Sequence, residues 1–259
     1  MLASTPRDPI VLVPGLLGLD RVQVGPLTLA RYFPGIEESL SVAGFPVATA
    51  RPSLTAGIEC RANELADFVR VRFPNDRVHI IGHSMGGLDA RFAISRLGLS
   101  DYVQSLTTIG TPHRGSSFAD WIVRNFSRLL WPLIRYLGIS TDGFRDLTTE
   151  NCTRFNEEVQ DAPGVAYYSV AGQCDVDSLI PLWRPAANVV WDKEGPNDGI
   201  VAVQSAIYGS ESTIWVGDHM HLVNRPNPRA TGWGHRPTDY LRLAERATAN
   251  SEERVSRDT

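Results

Sequence analysis

The hexapeptide Gly82-His83-Ser84-Met85-Gly86-Gly87 constrains this chain more than any other stretch of it. It follows Arg77-Val78-His79-Ile80-Ile81, a β-branched run that reads as a buried strand, and it precedes residues 88–97, which read as a helix. A strand that becomes a helix with no spacer must turn sharply, and the residue at the tip then takes a strained backbone conformation. Only residues without side chains fit two positions before and after it, and Gly82 and Gly86 stand there. The G-x-S-x-G pattern therefore sits in the strand-turn-helix context that makes it meaningful, with Ser84 as the candidate nucleophile. The N–H groups opening the next helix aim at the oxygen that such a serine would make negative, and Met85 is the first candidate donor. The plain alternative is a glycine-rich turn, or an anion site at a helix start.

The flanking sequence alternates strands and helices, which builds an α/β architecture with a mostly parallel sheet covered by helices. Ile10-Val11-Leu12-Val13 is unbroken and aliphatic, as in a strand buried on both faces, and it ends at Pro14-Gly15. A helix is expected over 37–42 and a strand over 46–50. A second helix is expected over 58–73, where Leu65, Phe68, Val69 and Phe73 lie near one face and Pro74 stops it. Further strands are read at 103–109, 165–171, 189–191 and 213–216, a helix at 151–159 and a terminal helix at 238–249. Residues 250–259 read as a charged, frayed tail.

At 259 residues the chain is expected to form a single domain, residues 1–259, large enough to need no staple or metal for its core. A net charge of -4 offers no basic field for nucleic acid. The apolar runs are far shorter than the ~20 residues of a membrane span, so no transmembrane segment is expected. The start shows no signal-peptide pattern, in keeping with an intracellular protein or a mature form with an added Met. Of the three cysteines, Cys152 and Cys174 could bridge in a secreted chain, against the equal expectation of three plain thiols.

Residues 118–137 break the pattern. Trp121, Ile122, Phe126, Leu129, Leu130 and Leu133 are large and apolar, arginines line one edge, and Pro132 divides the stretch into two expected helices. The segment reads as part of a helical insertion over 113–160, either a cover for a substrate pocket or a buried helical pair.

A serine hydroxyl needs a histidine to take its proton and a carboxylate to orient that histidine. In this architecture they follow in the order Ser, acid, His. Asp198, in the turn Pro196-Asn197-Asp198-Gly199, and His219, just past the 213–216 strand, are the leading pair, both in loops where reacting groups collect. His221 is an alternative base, and Asp175, Asp177, Asp192 and Asp218 are alternative acids, with Asp218 read as a solvated neighbour. His83 is expected to pack nearby, and His79 and His235 to be ordinary histidines.

These motifs, with Pro9 to Gly18, Thr108 to Ser116, Asn197-Asp198-Gly199-Ile200-Val201 and Val223-Asn224, resemble the bacterial true lipases, the Pseudomonas and Burkholderia type of triacylglycerol lipase, over most of the chain. The resemblance implies an α/β-hydrolase fold, a Ser84-Asp198-His219 triad, and Leu16 and Met85 as backbone donors of an oxyanion hole. It also implies that residues 118–137 belong to a mobile lid over the acyl pocket. Two departures stand out. Pro14-Gly15 replaces the usual His-Gly. His221 stands where the family has a calcium-binding aspartate and Arg225 where it has a glutamine, so although Asp175 or Asp177 could match the other calcium aspartate, the structural calcium is not expected.

The expected activity is hydrolysis of a lipid or other carboxylic ester through an acyl-enzyme, with transient contact to a lipid surface and no cofactor. The rivals on the same triad are a short-chain esterase, an acyltransferase, a phospholipase and a thioesterase. The rival outside enzymes is a non-catalytic lipid-binding protein of the same fold.

Overall fold

A computed structural model describes residues 7–18, 21–24, 27–126 and 140–258. Eight strands occur among them: β1 (Ile10–Val13), β2 (Arg21–Val24), β3 (Leu27–Arg31), β4 (Val47–Thr49), β5 (Val78–His83), β6 (Val103–Ile109), β7 (Ala166–Gln173) and β8 (Glu211–Val216). Six form one sheet in the order β4-β1-β5-β6-β7-β8, every neighbouring pair parallel. The antiparallel ribbon β2-β3 stands apart and has no counterpart in the sequence reading.

The sheet is buried on both sides because its strands are apolar on both sides. Along β1 the alternation is visible residue by residue. Ile10 and Leu12 pack with Phe33, Ile36, Leu40 and Tyr240 on one face, and Val11 and Val13 with Leu65, Val69, Ile80 and Ile94 on the other. Helices α1 (Ile36–Val42) and α9 (Arg236–Asp258) cover the first face, and α2 (Ile58–Arg72) and α3 (Met85–Arg96) the second.

The remaining helices are α4 (Ser117–Phe126), α5 (Asp142–Asp146), α6 (Thr149–Glu158), α7 (Arg184–Glu194) and the single turn α8 (Val203–Ala206). The first three lie between β6 and β7, inside the expected 113–160 insertion. Leu129, Leu130, Pro132 and Leu133, together with the Phe126 side chain, lie outside the described residues.

Two expectations fail. Residues 189–191 are helical: Ala186, Ala187 and Val190 face inward at helical spacing, Pro185 sits in the first turn, and Trp191 is half exposed. The adjacent valines looked like a strand only because so short a window hides its period. The terminal helix does not stop at residue 249 but runs to Asp258, with no glycine or proline to end it. Asn250 donates to the Tyr168 hydroxyl at 2.9 Å where fraying was expected. The three cysteines are free, so the Cys152-Cys174 bridge is not formed. Cys152 instead packs in a buried cluster with Ile58, Met85 and Leu88.

The chain winds outward from β1 to β4 and then crosses back to β5 beside β1. Winding reverses between these two strands, so the loops leaving their carboxyl ends part and leave a crevice. Leu16 follows β1 and Ser84 follows β5, which places both at that crevice.

Candidate active site

Ser84 has φ 54° and ψ -129°, a conformation that non-glycine residues rarely hold. Its N–H donates to the Ile109 carbonyl at 2.8 Å, which pins the bend to the neighbouring strand. The flanking glycines are needed for closeness rather than for unusual angles. A Cβ on Gly82 would lie 2.8 Å from the Gly86 carbonyl oxygen, and one on Gly86 would lie 2.5 Å from that of Val13. Helix α3 begins at Met85, three residues earlier than expected, so its free N–H groups start directly beside the serine.

Asp198 and His219 are joined: His219 Nδ1 donates to Asp198 Oδ2 at 2.7 Å, with both residues buried. Asp198 Oδ1 accepts from the N–H groups of Ile200 and Val201 at 3.1 and 2.8 Å. The His219 N–H closes the pair again by donating to the Asp198 carbonyl at 2.8 Å. With Nδ1 as donor, the neutral imidazole keeps its Nε2 lone pair free to accept a proton. His219 and Ser84 line one cavity of about 370 Å³, together with Leu16, Tyr32 and Met220.

Several of the competing groups have partners of their own. His221 Nε2 donates to the Gly234 carbonyl at 3.2 Å and its ring stands edge-on to Trp233. Asp177 lies beside Arg184, and Asp192 is exposed on α7. Asp218 is not a solvated neighbour but is buried, accepting from the His221 N–H at 2.7 Å and from Asn227 at 2.6 Å. His79 pairs with Ser105, and His235 with Thr238.

On the opposite wall, the Gly15 N–H donates to the Tyr32 hydroxyl at 3.0 Å and the Leu17 N–H to the Leu54 carbonyl at 2.8 Å. Between them, the Leu16 N–H has no acceptor among the described residues, and neither has the Met85 N–H across the crevice. Behind this wall, buried Arg61 donates to the Pro14 carbonyl at 2.8 Å and to Asp89 Oδ2 at 2.8 Å.

His83 carries more than sequence reasoning assigned it. A carbonyl can only accept, so its Nε2 donates to the His219 carbonyl at 3.0 Å, and its Nδ1 accepts from the Tyr32 hydroxyl at 2.8 Å. Burial, reinforced by His219, holds the His83 imidazole well below the usual range and so neutral. Burial likewise pushes the Tyr32 phenol up to about 12. Two glycines were also missed. A Cβ on Gly110 would sit 3.2 Å from Asp198 Oδ2 and 3.3 Å from His219 Nδ1, and one on Gly172 would sit 2.8 Å from Asp198 Cβ. Each stands at the carboxyl end of a strand, and Gly110 lies within the Thr108 to Ser116 stretch, but neither signal points to the acid and base.

The helical insertion brings Phe118, Ala119, Ile122, Phe144 and Leu147 to the cavity's apolar lining, and Leu16, Trp183, Ile200, Val201 and Met220 join them from the rest of the chain. Of these, Ile122 is one of the apolar residues that the sequence singles out; Phe144 and Leu147, on and just after a helix of five residues, form too short a pattern to read. Trp121 is 38% exposed and stacks with Phe118. A larger groove of about 680 Å³ beside Ile58 and Phe155 contains none of these reacting groups.

Beside His219, His221 Nε2 donates to the Gly234 carbonyl, Arg225 brings a positive charge, and Asp218 accepts from the His221 N–H and from Asn227. Among the described residues no three His, Cys, Asp or Glu side chains gather as a metal site.

Residues 8–133 match the family model of the alpha/beta hydrolase fold. Triacylglycerol lipase 2 of Saccharomyces cerevisiae is 33% identical over 219 residues, covering 78% of this chain and 65% of that protein. A triacylglycerol lipase of Vibrio cholerae is 31% identical over 243 residues, covering 78% and 75%. The chain thus spans just under two thirds of the yeast relative's length and three quarters of the Vibrio relative's. Among solved structures, a metagenomic carboxyl esterase superposes with a TM-score of 0.74 at 21% identity, over 96% of this chain and 77% of that one. The lipase of Staphylococcus hyicus does so with 0.70 at 18%, over 97% and 96%. No helix among the described residues is long and apolar enough to cross a membrane. Taken with the crevice and the ordered Ser, Asp and His, the sequence identity to the Vibrio relative places this chain in the triacylglycerol lipase family of the α/β-hydrolase fold.

Proposed function

We propose that this chain hydrolyses carboxylic esters, lipid esters above all, by acyl transfer through Ser84. The observation that carries the reading is the 2.7 Å contact of His219 with Asp198, on a cavity that Ser84 also lines. His219 Nε2 takes the Ser84 proton as Oγ attacks the ester carbonyl. The oxygen that becomes negative rests on the Leu16 and Met85 N–H groups, which are aimed before the charge arrives and need no rearrangement. His219 then gives the proton to the departing alcohol. Water, deprotonated by the same imidazole, releases the acid from the acyl-enzyme. Asp198 keeps the proton on Nδ1 and stabilises the imidazolium.

The preference for lipid esters rests on the apolar wall and on the activities named for the relatives. The acyl chain lies along Phe118, Ile122, Phe144 and Leu147, where burial contributes about 0.8 kcal/mol for each CH₂ group. We read the 113–160 insertion as a lid that moves at a lipid surface, uncovering Trp121 and its apolar neighbours, and we assign the reaction no metal or cofactor.

A fluorophosphonate probe and an ester panel running from acetate to long-chain emulsions, with and without chelator, test this. Labelling and turnover are expected to vanish in Ser84→Ala, long-chain esters to be cleaved, and the chelator to change nothing. Labelling that persisted in Ser84→Ala would remove the hydrolase reading. Failure on emulsions with rapid cleavage of short soluble esters would replace the lipase with an esterase.

A further inference from the structure

Structural guanidinium groups in this fold are matched to acceptors. Arg61 reaches Asp89 and the Ser53 and Pro14 carbonyls, Arg91 reaches Asn156 and the Val159 carbonyl, and Arg236 reaches Asp239 and the Val216 carbonyl. Arg225 is different. It lines the cavity that holds Ser84 and His219, and among the described residues it has no carboxylate partner. Its Nε is buried without an acceptor among them, as are those of Arg91 and Arg236, but where those two guanidinium groups hydrogen-bond through their other nitrogens, that of Arg225 makes no hydrogen bond to a described residue. Its guanidinium carbon stands 6.0 Å from the centroid of the Tyr32 ring.

The main chain beneath it is well held. The Arg225 N–H donates to the Met220 carbonyl at 3.1 Å, Asn224 takes the left-handed conformation at φ 63°, and Asn224 Nδ2 donates to the Pro34 carbonyl at 2.7 Å. No aspartate, glutamate or lysine lines the cavity among the described residues, so Arg225 is its one permanent charge. A half-buried cation facing a largely apolar cavity is favoured by an opposing charge, and a guanidinium presents its donors in a fork that suits a phosphate or carboxylate.

Which half of an ester would meet it follows from the chemistry. The departing alcohol must lie against His219, which protonates it, and Arg225 belongs to the same loop as His219. The acyl half lies along the helical insertion. Resting on the hydrolase reading above, we propose that Arg225 selects esters whose alcohol half carries an anionic group, a phosphate or a carboxylate. It is a specificity residue that takes no part in proton transfer.

The test compares kcat/KM in matched pairs with the full chain. A monoacylglycerol is set against the same monoacylglycerol 3-phosphate, and an O-acyl lactate against its amide. A third pair, p-nitrophenyl glutarate against p-nitrophenyl valerate, puts the charge on the acyl half instead. The wild type is expected to favour the charged member of one or both alcohol-side pairs by about tenfold or more, and the pair that responds identifies phosphate or carboxylate. Arg225→Gln should bring that ratio to about one, and Arg225→Lys should keep part of it. The ratio is read, so a change common to both members does not count. An unchanged ratio in Arg225→Gln, or an Arg225-dependent preference confined to the acyl-side pair, overturns the proposal. Neutral-ester turnover that is lost in Ser84→Ala shows the hydrolase reading standing on its own. Its persistence there would sink that reading instead.

Discussion

His83 Nε2 donates to the main-chain carbonyl of His219 at 3.0 Å, so the residue beside Ser84 holds the loop that carries the proposed base. Through its other nitrogen it meets Tyr32, which in turn accepts from Gly15, one residue before Leu16, the proposed oxyanion donor. One unbroken line of hydrogen bonds therefore joins all three parts of the site. Removing the Tyr32 hydroxyl would strand two buried groups, at a cost of about 1–3 kcal/mol. Tyr32→Phe is expected to lower Tm and to reduce kcat by roughly tenfold, a loss of order one such interaction. Because burial keeps His83 neutral, His83→Gln should slow the enzyme without moving the acid limb of its pH-rate profile. A shifted limb would show that His83 titrates in the reaction.

The two neighbouring histidines separate cleanly by their partners. His219→Ala and Asp198→Asn should each reduce kcat by roughly 10³-fold or more, since one removes the base and the other its tautomer control. His221→Ala should retain a large part of the activity, its ring being engaged with Gly234 and Trp233. Steady-state kinetics on a soluble ester decide it, and the reverse ranking would transfer the role of base to His221.

Gly110 tests how tightly the acid and base are seated. Its φ is 56°, and a methyl group added there would come within 2.9 Å of the Leu222 side chain, so any substitution is both strained and crowded. Gly110→Ala should cost about 1–3 kcal/mol of stability and lower kcat more than it raises KM. Wild-type kinetics in that variant would mean that the pair tolerates displacement.

Asp89 links stability to pH. Burial pushes its carboxyl up to about 7 against the opposing pull of Arg61. The folded chain therefore holds this proton after the unfolded chain, with an ordinary value of 3.8, has lost it. Stability from this group is fully present below the unfolded value and declines as pH rises from about 4 to 7, by at most ~1.4 kcal/mol per pH unit. Asp89→Asn should flatten the fall in Tm across that interval. An identical slope in the variant would place the pH dependence elsewhere.

Local order carried most of the architecture into the sequence. The unbroken aliphatic run of β1 and the glycines about Ser84 each express a constraint acting within a few residues, and these are legible without coordinates. Residues 189–191 misled because two valines have no period of their own; only the packing of Ala186, Ala187 and Val190 reveals a helix. What tertiary structure alone decided was partnership across long separations: His219 rather than His221 on Asp198, Tyr32 and His83 bracing the loop at Gly15, Gly110 making room beneath the pair, and Arg225 facing the cavity without a counter-charge among the described residues. Spacing along a loop does not determine where a side chain points. The hydrogen bonds and close contacts that do determine it join residues brought together only by the folded sheet.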